Sequence, residues 1–494
     1  MNSRRSSTAV VKVLLAVFAL LVFCLDLPVV GCKARSVADM ILQPREIFHE
    51  AVQSAIQIQN ISETGGIFFG EKEYTLGEIA RAQAAAGYFA DAIQTAGRIG
   101  KYQDQYLADI AFAQARAGDP DAAKETVRQY LPKERWGGAL RQVALIQADR
   151  GDESGALAVA AQLGPIARDE VLAAIGTRKA RAGDLDAASQ AAASISSPYS
   201  RDEVWYAIVE AQAKSGNLEE ARRTSAKIKD KDMSRSIPYV LAKARLEAGD
   251  VVGTLRLTKG LAPGTKAGTL LAIAEVQVKT GNHSDAGETL RQATRDALRE
   301  REAFSKAQEL AHIAAVQLRA GLSPDAINAL ESLPDRKDIR WEWCEIAGAQ
   351  AEIGKIAAAL DSAKKMGDRK ACALIAIASR QVDAGDPEGA LNTIQLNPNP
   401  ADISSAKAEL ASQLAKRGDI DTARRFAEEV LITGAHYEEG YRAPALREIA
   451  RAQANSGKVT DALVWARGQR SPYSRALALL GVAMSLAERQ QKTH

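Results

Sequence analysis

One glycine recurs along almost the whole chain and constrains its fold more than any other feature. It stands at Gly87, Gly118, Gly151, Gly183, Gly216, Gly249, Gly281, Gly321, Gly354, Gly385, Gly418 and Gly457. A spacing of about 32 residues, repeated this often, means a stack of like supersecondary units, each burying its apolar face against its neighbours. The 494 residues would otherwise suggest several ordinary domains; the repeat overrides that expectation. Such an architecture presents surface to other molecules without identifying them.

The flanks of the glycine define the unit. Eight residues before it stands an aliphatic residue in all twelve cases, from Ile79 and Ile110 to Ile449, and seven before it Ala in ten, as at Ala80 and Ala111. Leu or Trp occupies the position eleven before in ten units, as in Leu76, Trp205 and Trp343, and Ala follows five after in eleven, Thr254 alone departing. Positions eleven, eight and seven before the glycine share one face of a helix. Glycine then suits the left-handed residue that ends that helix. Asp or Asn follows in eight units, including Asp119, Asn217 and Asp386, and caps a second helix at once. The small residues seven before and five after let the two helices approach closely. The unit is an antiparallel helical hairpin.

These residues resemble the tetratricopeptide repeat (TPR), a helix-turn-helix unit of about 34 residues. The likeness covers roughly residues 72–490. It implies an all-α, right-handed TPR-like superhelix of about twelve hairpins plus a closing helix near residues 471–488, with the first helices lining a concave groove. The sequence departs from the family in places. Where an aromatic is usual four before the glycine, nine units carry Gln, among them Gln83, Gln114 and Gln147. One glutamine per unit predicts a ladder of amides between successive first helices. Small residues replace the aromatic expected nine after, as at Ala96 and Ala160.

Three segments follow from this register: 1–34 as a targeting signal, 35–71 as a helical cap and loop, and 72–494 as the repeat array. Two units are long. The stretch 295–304 has no breaker and predicts an extended helix; the stretch 432–443, with Gly434 and Gly440, predicts a loop. At the N-terminus Arg4, Arg5 and Lys12 precede the apolar run Val13–Leu25, which fits a signal-peptide core and is short for a membrane span. Val29-Val30-Gly31-Cys32 resembles a bacterial lipobox, which would make Cys32 a lipidated anchor. Cleavage after Ala34, or no cleavage, are the competing readings. The net charge of +3 resides in residues 1–34, so nothing suggests a nucleic-acid footprint.

Catalytic signals are sparse. The five histidines include no pair at metal spacing. Gly260–Lys266 resembles a phosphate loop but is one residue short and follows no strand, so it reads as an inter-helix turn. Cys344 and Cys372 read as free, buried thiols on adjacent units, set at unequal distances, ten and thirteen residues, before their glycines. No cofactor, metal site or enzymatic constellation is expected. Positions thirteen, ten, six, three and two before each glycine should face the groove. There Tyr206 and Tyr239 take the same offset in adjacent units, with Glu210 and Lys243 one turn on; Trp341 joins them, and Arg447 and Arg451 form a basic spot. The expectation is an exported, envelope-tethered bacterial scaffold that binds a protein or peptide in its groove through Tyr206, Glu210, Tyr239, Lys243 and Trp341. A non-catalytic binder of envelope glycan or another substrate is the alternative. Contact with a membrane would be through the N-terminus only.

Overall fold

Local capping chemistry decides where each helix starts and stops. The structure, a computed structural model, describes residues 43–59, 70–259, 261, 263–322, 325–331, 342–430 and 437–493. Cys32, with the whole targeting segment, and Trp341 lie outside the described residues. Among those described, every regular element is helical: the chain is an all-α tandem helical repeat. Helix α1 (Pro44–Ile56) comes first. Six hairpins follow, pairing α2 (Glu71–Ala85) with α3 (Phe89–Ala96), α4 (Gln103–Ala117) with α5 (Pro120–Tyr130), α6 (Lys133–Arg150) with α7 (Glu153–Leu163), α8 (Pro165–Arg181) with α9 (Leu185–Ala193), α10 (Pro198–Lys214) with α11 (Leu218–Ser225), and α12 (Lys231–Glu247) with α13 (Val251–Thr258). Six more pair α14 (Pro263–Lys279) with α15 (His283–Ala297), α16 (Ala303–Arg319) with α17 (Asp325–Glu331), α18 (Glu342–Glu352) with α19 (Ile356–Lys364), α20 (Ala371–Asp383) with α21 (Pro387–Ile394), α22 (Pro400–Arg417) with α23 (Ile420–Glu428), and α24 (Tyr437–Asn455) with α25 (Val459–Arg467). Helix α26 (Pro472–Thr493) ends the chain.

All twelve recurring glycines are left-handed, with φ between 68° and 99°. The Gly118 amide donates to the Ala115 carbonyl at 3.1 Å and the Asp119 amide to the Gln114 carbonyl at 3.0 Å. That pair of bonds is a Schellman cap, which satisfies carbonyls that the helix end would otherwise orphan. Asp119 then accepts from the Ala122 amide at 2.9 Å to start the second helix, and Asp152, Asp184, Asp250, Asp386 and Asp419 do the same in their units. Inside the hairpin, Thr254 Oγ1, five after its glycine, lies 3.4 Å from the carbonyl of Ala242, seven before it. The small-residue pair therefore does meet face to face, as the spacing predicts.

The glutamines are buried, but they do not form a ladder. Most of the amides that find a partner reach across their own hairpin, whereas Gln453 accepts from Arg424 of the preceding one. Gln147 Nε2 donates to the capping Asp152 at 2.6 Å. Ser362 donates to Gln350 and Thr393 to Gln381, both at 2.7 Å. The side chain leaves the helix beside the turn, so the nearest polar groups belong to the second helix of the same unit. Both amide atoms of Gln83 are buried without a partner.

The ends of the array meet, which the open superhelix does not anticipate. Even-numbered helices contact their even-numbered neighbours in sequence from α2 to α26, and α26 contacts α2. The odd-numbered helices pack mainly on their own and flanking even ones. A layer whose members touch all the way round is the inner one. Helix α1 packs on α26 and α2, the position a second helix holds in the other hairpins, that of α17 excepted. Twelve hairpins plus this α26–α1 pair make thirteen units, the last assembled from both ends of the described chain. Apolar faces drive the joint: Ile47, Phe48, Ala51 and Ala55 of α1 are essentially inaccessible, as are Ala476, Leu477, Leu480 and Ala483 of α26. Polar bonds lock it. Arg45 makes a bidentate pair with Asp91 at 2.6 and 2.8 Å and holds that carboxyl below its usual range. Arg467 pairs with Glu50 at 2.7 Å, and Tyr88 donates to Gln490 at 3.1 Å. Gly481 lets α26 and α24 approach backbone to backbone; a Cβ there would lie 2.1 Å from the Arg447 carbonyl oxygen.

Two further expectations change. Helix α15 is long, as the unbroken stretch implies, but it ends at Ala297 and a short loop precedes α16. Helix α24 already begins at Tyr437, so Gly440 is helical, while the earlier part of the expected loop, with Gly434, lies outside the described residues. Among the described residues no helix is long and apolar enough to cross a membrane.

Candidate functional site

The inner wall takes its shape from the stagger between successive even-numbered helices. Buried aspartates set that stagger around α10. Asp169 on α8 accepts from the Ser196 and Ser197 amides at 3.1 and 2.7 Å, just ahead of α10. Asp202 on α10 accepts from Lys229 and Asp230 at 2.8 and 2.7 Å, just ahead of α12. Each helix thereby fixes the start of the next.

A concavity of about 930 Å³ opens on this wall across α6, α8, α10 and α12. Most of its lining falls at the expected offsets: Arg141 and Tyr206 ten before their glycines, Glu170 and Glu203 thirteen before, Thr177 and Glu210 six before, Asp149 and Arg181 two before; Tyr199 and Asp232 do not. The lateral contacts follow a rule that the sequence does not state. A residue ten before its glycine meets the residue thirteen before the next glycine. Arg141 donates to Glu170 at 3.0 Å in this way, and Ser236 donates to the Tyr206 hydroxyl at 3.2 Å. Adjacent helices are displaced by about one turn.

The electrostatics of the concavity are lopsided. Asp149, Glu170, Glu203, Glu210 and Asp232 line it against only Arg141 and Arg181. Arg141 is already committed to Glu170. By the same offset rule Ala173 takes the place opposite Glu203 that Arg141 takes opposite Glu170, and burial pushes the Glu203 carboxyl up, partly offset by a hydrogen bond from Tyr199. Tyr199 is 59% exposed at the rim.

Of the residues singled out from sequence, Tyr206 and Glu210 lie together in this concavity. Tyr239 is exposed on α12, one helix further on, and Lys243 near it approaches Glu247 at 4.0 Å; neither lines the concavity. The basic spot is not free. Arg447 reaches over α26 to Glu78 at 3.1 Å and also pairs with Glu448, and Arg451 pairs with Glu488. Tyr199, Glu203 and Arg141 were not picked out individually. Glu203 and Arg141 stand at groove-facing offsets, and that register was the available signal. Trp205 and Trp343, by contrast, are covered by the ammonium groups of Lys227 and Lys365, each 3.9 Å from the ring centre, so they belong to the packing between helices.

A second concavity, of about 750 Å³, lies on the same wall across α16, α18, α20 and α22. Arg319, Arg380, Glu345 and Glu409 line it with the two thiols, Cys344 and Cys372. Among the described residues no group of three or more His, Cys, Asp or Glu is placed to hold a metal ion.

No protein-family model matches the chain, and no curated protein matches it. Among solved structures it is similar to a "circular tandem repeat protein with novel repeat topology and enhanced subunit contact surfaces". That likeness is at 13% identity, covering 91% of this chain and 98% of that one, with a TM-score of 0.11.

Proposed function

We propose that this chain is an exported, non-catalytic scaffold of TPR-type hairpins that holds a protein or peptide segment against its inner wall. The observation that carries the reading is the acidic, tyrosine-bearing concavity across α6, α8, α10 and α12. Carboxylates in excess of guanidiniums favour a segment rich in Lys or Arg, because complementary charge sets orientation and encounter rate. Tyrosines supply contact area at low entropic cost, and Ala173, Ala174 and Ala207 leave room for a backbone to approach. Tyr239 and Lys243 extend this surface along α12. Trp341 is proposed as a more distant contact. The N-terminal segment is read as an export signal, with Cys32 as the lipidated tether that would keep the scaffold at a membrane surface in a bacterial envelope.

Crosslinking capture from native envelopes, followed by titration with the captured segment, tests this. Replacing Tyr206 and Tyr239 together by Ala should weaken binding by more than about 1 kcal/mol while leaving the melting temperature nearly unchanged. Capture of polysaccharide in place of protein, or early unfolding of the double variant with normal binding, would overturn the assignment. Mass spectrometry of the mature N-terminus decides the tether: an unmodified start at Arg35 rules out lipidation of Cys32.

A further inference from the structure

The second concavity contains chemistry that a peptide scaffold does not require. Cys344 stands ten before its glycine on α18, and Cys372 thirteen before the next glycine on α20. Those unequal offsets separate them only if helices pack level. By the stagger of this wall they are lateral partners, at the same pair of positions where Arg141 meets Glu170 and Tyr206 meets Ser236. The two thiols interact side chain to side chain, both are half-buried, and both open onto the concavity. Neither is in a disulfide.

We propose that Cys344 and Cys372 form a redox-active dithiol that closes, by exchange with a disulfide of a thiol–disulfide donor, into a reversible covalent staple between adjacent repeats on the inner wall. The roles of the two sulfurs differ. Cys372 is the second residue of α20, where first-turn amides point outward and the helix dipole favours an anion. Its thiol is lowered by the hydrogen bond from Cys344, with the Ala373 amide adding to the effect. The Cys344 thiol is raised by the same neighbour and by burial. Cys372 is therefore the attacking sulfur and Cys344 the resolving one.

The exchange balances as follows. Cys372 thiolate attacks one sulfur of the donor R–S–S–R; the donor's S–S bond breaks, and R–S⁻ leaves and takes a proton from solvent. Cys344 then gives its proton to solvent and attacks the Cys372 sulfur of the mixed disulfide, expelling the second R–S⁻. Counting the proton that Cys372 releases on forming its thiolate, the protein loses two protons and two electrons, and the donor takes both up and leaves as two thiols. Closing the bond requires the sulfurs to reach about 2.05 Å across the contact between α18 and α20.

The test uses the full chain in graded mixtures of oxidised and reduced glutathione, with peptide mass spectrometry that reads Cys344 and Cys372 separately from Cys24 and Cys32. The expected result is a Cys344–Cys372 linked peptide, two hydrogens lighter than the sum of its parts, that disappears on reduction. Limiting iodoacetamide should modify Cys372 first. In Cys344→Ser, Cys372 should stall as a glutathione mixed disulfide, with helicity unchanged. If the wild-type chain at full oxidation yields no linked peptide, or only independent glutathione adducts on each cysteine, the dithiol assignment fails. Loss of peptide binding by the acidic concavity would leave it untouched.

Discussion

Phe48 offers the sharpest test of how the array is closed. It sits on α1 with no accessible surface and meets the Tyr88 ring edge-on, centroids 6.0 Å apart at 68°. Removing the ring forfeits a full transfer term of about 1.5–3 kcal/mol and an aromatic contact of about 0.5–1.5 kcal/mol. With the cavity left behind, Phe48→Ala should cost about 3–5 kcal/mol. The exposed Arg467–Glu50 pair across the same joint can offset little of that, since such pairs contribute about 0–1 kcal/mol. The loss should be local, because α1 and α26 form a unit that no covalent turn holds together. Amide exchange over residues 44–56 and 472–493 should accelerate by roughly two to four orders of magnitude. Phe426→Ala provides the control: that ring is equally buried but lies on α23, so its exchange signature should centre on α22 to α24. Acceleration spread evenly around the chain in Phe48→Ala, or confined to α1 with α26 unaffected, would refute the closed joint.

Two more predictions concern single sites. Gly118→Ala places a side chain at φ 99° and should destabilise by about 1–2 kcal/mol in urea melts, whereas Gly137→Ala, exposed within α6 with open space around it, should be neutral or stabilising. Burial, with Glu300 adding to it, raises the Glu309 carboxyl from 4.5 to about 7. The folded chain therefore holds a proton there that the unfolded chain releases, and this contribution to stability is lost as pH rises from about 4.5 through about 7. Glu309→Gln should flatten that part of the stability profile in urea midpoints taken across the window.

The hairpin was legible in the sequence because its determinants are local. A left-handed residue needs glycine, the next helix needs a cap, and a close crossing needs Ala; each requirement leaves its mark at a fixed offset, so Ile79 or Ala92 could be placed from spacing alone. The groove-facing register was legible for the same reason, and Tyr206 and Glu210 fall where it puts them. The joint was not. The thirteenth unit has no glycine turn, because its two helices come from opposite ends of the described chain, and α1 carries none of the marks that depend on a turn. The stagger was hidden too. It is set by tertiary bonds such as Asp202 to the Lys229 and Asp230 amides, so comparing equal offsets hid the meeting of Cys344 with Cys372. Gly440 misled in the opposite direction: a lone glycine in a long helix costs about 1 kcal/mol, which packing can absorb.

An open row of repeats frays from its ends and shortens gracefully: excising one whole period, such as residues 152–183, ought to leave a smaller copy of the same object. A closed one behaves like a barrel missing a stave. With α26 seated on both α1 and α2, every unit has two neighbours, and none can open without breaking two interfaces. Losing or gaining a period changes the curvature required of all the others, so the number of hairpins is set by closure as much as by the hairpin itself.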